Sequence, residues 1–321
     1  MIASSLGAEI GIPFQPDDIT LTNGAFAGLS VAMRTVVEPG SEVIYISPPW
    51  FFYRSLIRAA GARAVRVNVD PETLQVDPAA IEAAITPRTQ AIIPELAKQP
   101  DGHCGVRELL ADLAAVLTRA SAGRDKPIYL ISDEAYRKIV FDGRTVPSPT
   151  EFYPHSFLIY TYGKTLLTPG ERLGYIAMPP GMHGREDLRN GLLMMQIMTG
   201  WAMPNALLHH SLRDLEWLSI DIGALQRRRD LLVPALRDAG LETTLPAGTF
   251  YVLCKAPDGD DMAFTELLAA DDVFVLPGST FEMPGYVRIS LTARDEMVER
   301  ALPVFRHVAA QSGGKALALS R

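Results

Sequence analysis

The chain has 321 residues, 48% of them hydrophobic and 21% charged, which suits one large or two ordinary domains and excludes a disordered chain, a coiled coil or a small disulfide scaffold. Thirty basic against 37 acidic side chains leave a net charge of −7, which argues against a nucleic-acid or anionic-membrane binder because the polyanion term is repulsive overall. Two cysteines, Cys104 and Cys254, make neither a disulfide framework nor a zinc spacing and fit a reduced, cytoplasmic setting, with no metal expected.

In chain order, the first residues, MIASSLGAEIGIPF, carry no basic start and no continuous apolar stretch, so they do not read as a signal peptide. Ile19–Thr22 is a strand ending at Asn23-Gly24, and Ala25–Val37 a helix closed by Pro39-Gly40. Strand Glu42–Ile46 stops at Pro48-Pro49; helix Tyr53–Ala60, strand Arg63–Val67, helix Pro78–Ile85 and strand Ala91–Pro94 follow. Val106–Ala120 is a strongly amphipathic helix, Ile128–Ser132 a strand, and Phe157–Tyr160 and Arg172–Ala177 two more. Strands separated by helices predict a mostly parallel sheet with helices on both faces, whose ligands sit outside the carboxyl ends of the strands. After Pro180 the texture changes: Gly184–Leu218 reads as long, helical and Met-rich, and Ser219–Ala239 as a helix whose Arg227–Arg229 run faces solvent. Short strands follow at Leu241–Leu245, Thr249–Leu253, Val273–Leu276 and Tyr286–Ser290, then a last helix, Asp295–Gln311, and a frayed end. Domains are expected at 15–218 (large) and 219–321 (small, α+β), with 1–14 a short leading segment. No apolar run approaches the roughly 20 residues that span a bilayer.

Five local patterns carry chemistry. Tyr160-Thr161-Tyr162-Gly163-Lys164-Thr165 sets a lysine just past a strand, with Arg172 eight residues on. A desolvated lysine is a nucleophile toward an aldehyde; the bland alternative is a surface turn. Ser132-Asp133-Glu134-Ala135-Tyr136 ends a strand in an acid suited to a cationic nitrogen, with a hydroxyl ring one turn away, although an N-cap Asp looks the same. Thr22-Asn23-Gly24-Ala25-Phe26 is a small-residue turn into a helix, whose free N–H groups favour a phosphate. Ser47-Pro48-Pro49-Trp50 presents an aromatic face that can stack on a planar ring or simply pack. Arg288, inside the apolar strand Tyr286–Ser290, needs either a substrate carboxylate or a structural ion pair.

In order and spacing these elements resemble the class I/II aminotransferases, pyridoxal-phosphate enzymes of fold type I, from about Gly11 to Val308. The family's S-D-E-x-Y element stands as Ser132 to Tyr136, its lysine–arginine element as Thr161 to Arg172, and its carboxylate-binding strand as Val287 to Leu291. The resemblance implies an α/β fold of type I, pyridoxal 5'-phosphate as cofactor, and transfer of an amino group from an α-amino acid to a 2-oxo acid. It implies Lys164 as the amine that condenses with the cofactor aldehyde and then moves the proton. Asp133 would pair with the ring nitrogen, Tyr136 and Gln99 would bond the phenolic oxygen, and Trp50 would stack on the ring. The backbone of Gly24, Ala25 and Phe26, with Thr161 and Arg172, would hold the phosphate, and Arg288 the substrate α-carboxylate. A homodimer is implied, because family sites lie at a subunit interface.

Three departures accompany it. The family's N-P-T-G element is Gln99-Pro100-Asp101-Gly102, so the amide sits one methylene further out. Phe26 stands where a polar side chain often helps bind phosphate, and only some twenty residues precede Gly24. Two alternatives to transamination therefore stay open here: another reaction on the same cofactor (decarboxylation, elimination, cyclisation or oxidation), or a shortened non-catalytic homologue serving as a binding or dimerisation module.

Overall fold

The computed structural model describes residues 1–70, 73–94 and 106–319, with side chains described to residue 311. Its elements run α1 (Ile2–Ile10), β1 (Ile19–Thr22), α2 (Gly24–Val36), β2 (Glu42–Ser47), α3 (Tyr53–Ala59), β3 (Arg63–Asn68), α4 (Pro78–Ala84), β4 (Thr89–Ile93), α5 (Val106–Ser121), β5 (Tyr129–Asp133), β6 (Ser156–Thr161), α6 (Tyr162–Thr165) and β7 (Gly174–Ala177). Then come α7 (Arg185–Met198), α8 (Ala206–Leu215), α9 (Ile222–Asp238), β8 (Tyr251–Lys255), α10 (Asp261–Ala270), β9 (Leu276–Pro277), β10 (Tyr286–Ser290) and α11 (Asp295–Leu319).

A seven-stranded sheet has the order β1-β7-β6-β5-β4-β2-β3. Neighbours from β3 through β6 are parallel, whereas β7 runs antiparallel to both β6 and β1. The sheet is therefore mostly parallel, as the alternation of strands and helices predicts. Both faces are covered, which is why β2 reads as an unbroken apolar run. Val43 and Tyr45 join α2 and α3 on one face, while Ile44 and Ile46 join α4 and α5 on the other, the two-residue period of a strand. A second sheet, β8-β10-β9, is wrapped by α9, α10 and α11 around its own core of Val252, Phe264, Val287 and Phe305. Its neighbour Glu282 reaches back to β2 and β3, accepting from Ser47 Oγ at 3.2 Å and facing Arg66 at 3.4 Å.

Several expectations need correction. The Met-rich stretch is not one helix: Gly200, at φ +80°, and Pro204 break it into α7 and α8. Leu241–Leu245 is not a strand; it makes only an isolated bridge from Thr243 to Cys254. Val273–Leu276 shortens to a two-residue strand ending at Pro277, which has no N–H to donate. Arg229 does not face solvent: it is buried, and its guanidinium forks onto both Asp142 oxygens at 2.7 and 2.8 Å. Besides the one-turn α6, two longer helices escaped the sequence reading. One is α10; the other is α1, which buries Ile2, Leu6 and Ile10 against Leu158, Tyr160 and Tyr175. At about 1.5–3 kcal/mol for each large apolar side chain, those three contribute roughly 5–9 kcal/mol before ordering entropy is subtracted.

Candidate active site

The parallel strands deliver their carboxyl ends to one edge of the sheet, and β7, running the other way, delivers its amino end there. Gly174, the first residue of β7, is paired with both Thr22 and Thr161. A Cβ on Gly174 would lie 2.3 Å from the Tyr160 carbonyl oxygen and 3.0 Å from Gly24, so only glycine lets the three strands close. That closure brings Arg172 against Gly24. A Cβ on Gly24, whose φ is +79°, would sit 2.4 Å from Arg172 Nη2 and 3.4 Å from Thr161 Oγ1. Arg172 is braced by its Nη1, which donates to the Pro169 carbonyl at 2.7 Å. No side chain caps the amino end of α2, so its first-turn N–H groups join the guanidinium and the Thr161 hydroxyl in one corner. The corner fits a phosphate: it has a cation, a hydroxyl, helix amides and a cradle that any side chain at Gly24 would fill.

From this corner a cavity of about 210 Å³ extends past Ala25, Phe26, Trp50, Asp133, Tyr136, Thr161, Lys164 and Arg172 to Arg288. Of the described residues that the resemblance assigns to the site, only Gly24 is missing from its lining. Gly24 borders Arg172, and Gln99 lies outside the described residues, as does Cys104. At the end of β5, Asp133 accepts from the Tyr53 hydroxyl at 3.0 Å and from the Ala135 N–H at 3.3 Å. Behind it, Glu134 is buried between Arg137 and the Ser148 hydroxyl, and burial raises its carboxyl above the usual range. Arg137 also meets Glu9 of α1 at 3.0 Å, so the first helix is pinned to the loop that carries Asp133.

Lys164 sits in the one-turn helix α6, capped by Thr161, and its Nζ lies 5.4 Å from the centre of the Tyr136 ring and 5.6 Å from that of Phe250. Burial first, and the neighbouring Tyr251 second, push the Tyr136 hydroxyl well above the ordinary tyrosine range, so it stays protonated and can donate. Next door, Tyr162 donates to Glu216, which also takes Ser5 Oγ at 2.9 Å and Lys138 Nζ at 3.0 Å. Arg288 stands at the far end of the cavity. Its guanidinium carbon is 4.1 Å from the Tyr251 ring centre and 5.4 Å from that of Phe281, and no carboxylate lies within ion-pair distance of it among the described residues. The structural ion pair that would explain an arginine in this strand is therefore absent there, and the fork remains available to a ligand carboxylate.

Sequence reasoning missed Tyr53 and Tyr251. Tyr53 reads as the first residue of a helix, and only the fold brings its hydroxyl under Asp133. Tyr251 could be found only through strand pairing: Arg288 opposes Leu253, which puts Tyr251 diagonally beside it on the same face.

The aminotransferase class I and II family model matches residues 1–305. The aspartate/prephenate aminotransferase of Thermus thermophilus is 30% identical over 320 residues, covering 96% of this chain and 79% of that protein. Among solved structures, an aminotransferase from Eubacterium rectale superposes with a TM-score of 0.91 at 32% identity, covering 97% of this chain and 78% of that one. The aspartate aminotransferase of Thermus thermophilus with maleate gives 0.81 at 29% identity, covering 96% and 80%.

Proposed function

The chain belongs to the class I and II aminotransferase family, whose members use pyridoxal 5'-phosphate, and from that premise we propose a division of labour among the residues of its cavity. It is an enzyme that moves the amino group of an amino acid to a 2-oxo acid. The cofactor, when bound, supplies an electron sink for the charge left on the substrate Cα. Arg172, the Thr161 hydroxyl and the amides of Gly24, Ala25 and Phe26 hold its phosphate. Asp133, steadied by the Tyr53 hydroxyl, offers an anion to its ring nitrogen, and Tyr136, kept protonated by burial, donates to its phenolic oxygen. Trp50 covers its ring face. Lys164 holds the cofactor through Nζ and takes the proton from the substrate Cα. Arg288 grips the substrate α-carboxylate and so fixes which Cα bond faces Lys164. Gln99 remains a candidate for the phenolic oxygen, on the resemblance alone.

The observation that carries this reading is the meeting of Lys164, Asp133, Tyr136 and Arg288 in one cavity with the Gly24–Arg172 corner at its end. Lys164→Ala is expected to abolish 2-oxo acid formation and the covalent attachment of the cofactor to the chain that borohydride reduction fixes in the native enzyme. Activity within tenfold of the native enzyme would overturn the assignment.

Three coarser proposals accompany it. The seven-stranded sheet with its helices, 15–218, forms a large domain, and 219–321 a small one. The chain acts as a homodimer through the exposed apolar row Met194, Ile197, Met198, Met203 and Leu207. That row reaches the site where the Met203 carbonyl accepts from Asn23. Sedimentation is expected to give twice 35.0 kDa, and a 35.0 kDa species with full activity would refute the dimer. A cytoplasmic location is supported by the two-cysteine composition.

A further inference from the structure

The reading above, on which this inference rests, gives Arg288 the substrate α-carboxylate and Lys164 the proton on the adjoining Cα. The carboxylate and the Cα are joined by one bond, so the two cations must be held in register with each other. A free arginine side chain has many rotamers, and ordering it anew for each substrate would cost affinity. Both cations lie against one cluster of rings. Phe250 and Tyr251 have centres 4.8 Å apart, Tyr136 and Phe250 5.2 Å, and Tyr136 and Tyr251 6.0 Å. Lys164 Nζ meets this cluster at Tyr136 and Phe250, and Arg288 meets it at Tyr251, whose ring centre is 4.1 Å from the guanidinium carbon. Tyr251 and Arg288 both line the cavity. The backbone fixes Tyr251 in place: its N–H donates to the Thr249 hydroxyl at 3.1 Å, and the pairing of β8 with β10 sets it opposite Ser290, diagonally beside Arg288.

We infer that Tyr251 is a positioning residue, whose ring holds the Arg288 guanidinium ready for the substrate carboxylate and in register with Lys164. A guanidinium held over an aromatic ring is attracted through its flat face. Its N–H donors lie in the plane of the group, so they stay free to fork onto a carboxylate. A protein carboxylate in the same place would orient the arginine as well, but would take up the donors that the substrate needs. Phe281, at 5.4 Å, adds a second and weaker ring contact. The Tyr251 hydroxyl has no part in this, so phenylalanine serves as well as tyrosine and leucine does not.

The test is steady-state transamination by the holoenzyme, native and as Tyr251→Phe, Tyr251→Leu, Arg288→Met and the double variant Tyr251→Leu with Arg288→Met. The substrate is whichever common amino acid the native enzyme turns over fastest. Tyr251→Phe is expected to keep the native KM. Tyr251→Leu is expected to raise KM about tenfold with kcat unchanged, the reach of one close cation–ring contact acting on ground state and transition state alike. Once Arg288→Met has removed the guanidinium, adding Tyr251→Leu is expected to change kcat/KM by less than about twofold, because nothing is left to orient. A ring that served only the fold would cost as much in either background. Equal losses in the two backgrounds, a native KM in Tyr251→Leu, a loss confined to kcat, or a Tyr251→Phe variant as impaired as Tyr251→Leu would each overturn the positioning role and leave the site reading standing. If Tyr251→Leu does not fold, Tyr251→Met makes the same comparison with an unbranched side chain. Arg288→Met within about tenfold of the native kcat/KM, or no transamination of any amino acid by the native enzyme, would overturn the site reading and this inference with it.

Discussion

Arg288 separates a catalytic site from a merely well-packed strand, and replacing it with methionine tests which one the chain has built. Methionine keeps an unbranched side chain of similar reach between Tyr251 and Phe281 while removing the fork of N–H donors. The folded protein loses two cation–ring contacts, at 4.1 and 5.4 Å, together worth about 1–2 kcal/mol. It loses no ion pair, because no carboxylate partners Arg288 among the described residues. A structural salt bridge broken on one side would instead cost about 3–5 kcal/mol. Stability should therefore fall by only a few degrees in Tm. Turnover should suffer far more. A guanidinium that binds a carboxylate through two charge-assisted bonds, each about 1.5–3 kcal/mol, contributes about 3–6 kcal/mol. At about 1.4 kcal/mol per factor of ten, kcat/KM for the amino acid should fall by about 10²–10⁴. Much of that loss should appear as a raised KM, since the carboxylate is held in the ground state as well as in the transition state. Arg288→Lys, which keeps a point charge without the planar fork, should fall between the two. The assays are steady-state transamination and thermal unfolding of the same preparations. A loss of kcat/KM smaller than about tenfold, together with a large fall in Tm, would show that Arg288 serves the fold and would refute the clamp.

Two further predictions concern the frame around the site. Burial alone would raise the Glu42 carboxyl, but bonds from Thr86, Arg63 and Arg88 outweigh it and bring it from 4.5 down to about 2. A depressed folded value means that its stabilisation is present above about 4.5 and is lost as the pH falls toward about 2. The urea midpoint should therefore drop over that range in the native protein and drop less in Glu42→Gln, and parallel profiles would remove Glu42 from the acid response. In the arginine run of α9, Arg229→Ala should cost about 3 kcal/mol, the low end for a broken buried pair because Asp142 is partly exposed. Arg227→Ala, which breaks only a surface contact to Asp221 at 3.9 Å, should stay within about 0.5 kcal/mol; equal costs in urea unfolding would contradict the assignment of Arg229 to the interior.

Local chemistry made part of the molecule legible in the sequence. Thr161 to Arg172, Ser132 to Tyr136 and Asn23 to Phe26 each sit where a strand gives way to a turn or helix, and such junctions are marked by small, polar or turn-forming residues. The β-strands of the large sheet were legible because both faces are buried, so Val43–Ile46 and Ile128–Leu130 stand out as unbroken apolar runs. Features that depend on a neighbour across space were not legible. Arg229 looks like its neighbours Arg227 and Arg228 until the chain folds and Asp142 arrives from 87 residues away. Helix α1 carries ordinary small and apolar residues, and its place is settled by Tyr160 and Tyr175 rather than by its own propensity. Leu241–Leu245 has strand-like residues but finds a partner only at Thr243, so it stays irregular.

Gly174 explains why the lysine and arginine of this site stand eight residues apart and why the arginine lies two residues ahead of a glycine. Strand β6 must end at Thr161 for α6 to lift Lys164 into the cavity, and the chain must then reverse before it can re-enter the sheet as β7. The register fixes that re-entry at Gly174, opposite both Thr161 and Thr22. Arg172 consequently stands two residues before the sheet closes, and the turn at Thr168–Pro169 gives it a carbonyl to lean on. Gly24 must lack a side chain because Arg172 occupies the space, and Gly174 must lack one because the strands on either side already do. The two glycines and the arginine are thus one geometric solution, in which a cation is brought against a helix amino end with no room for anything but the ligand between them. A chain that keeps this arrangement keeps a phosphate corner even where the side chains beyond it, Phe26 among them, have changed.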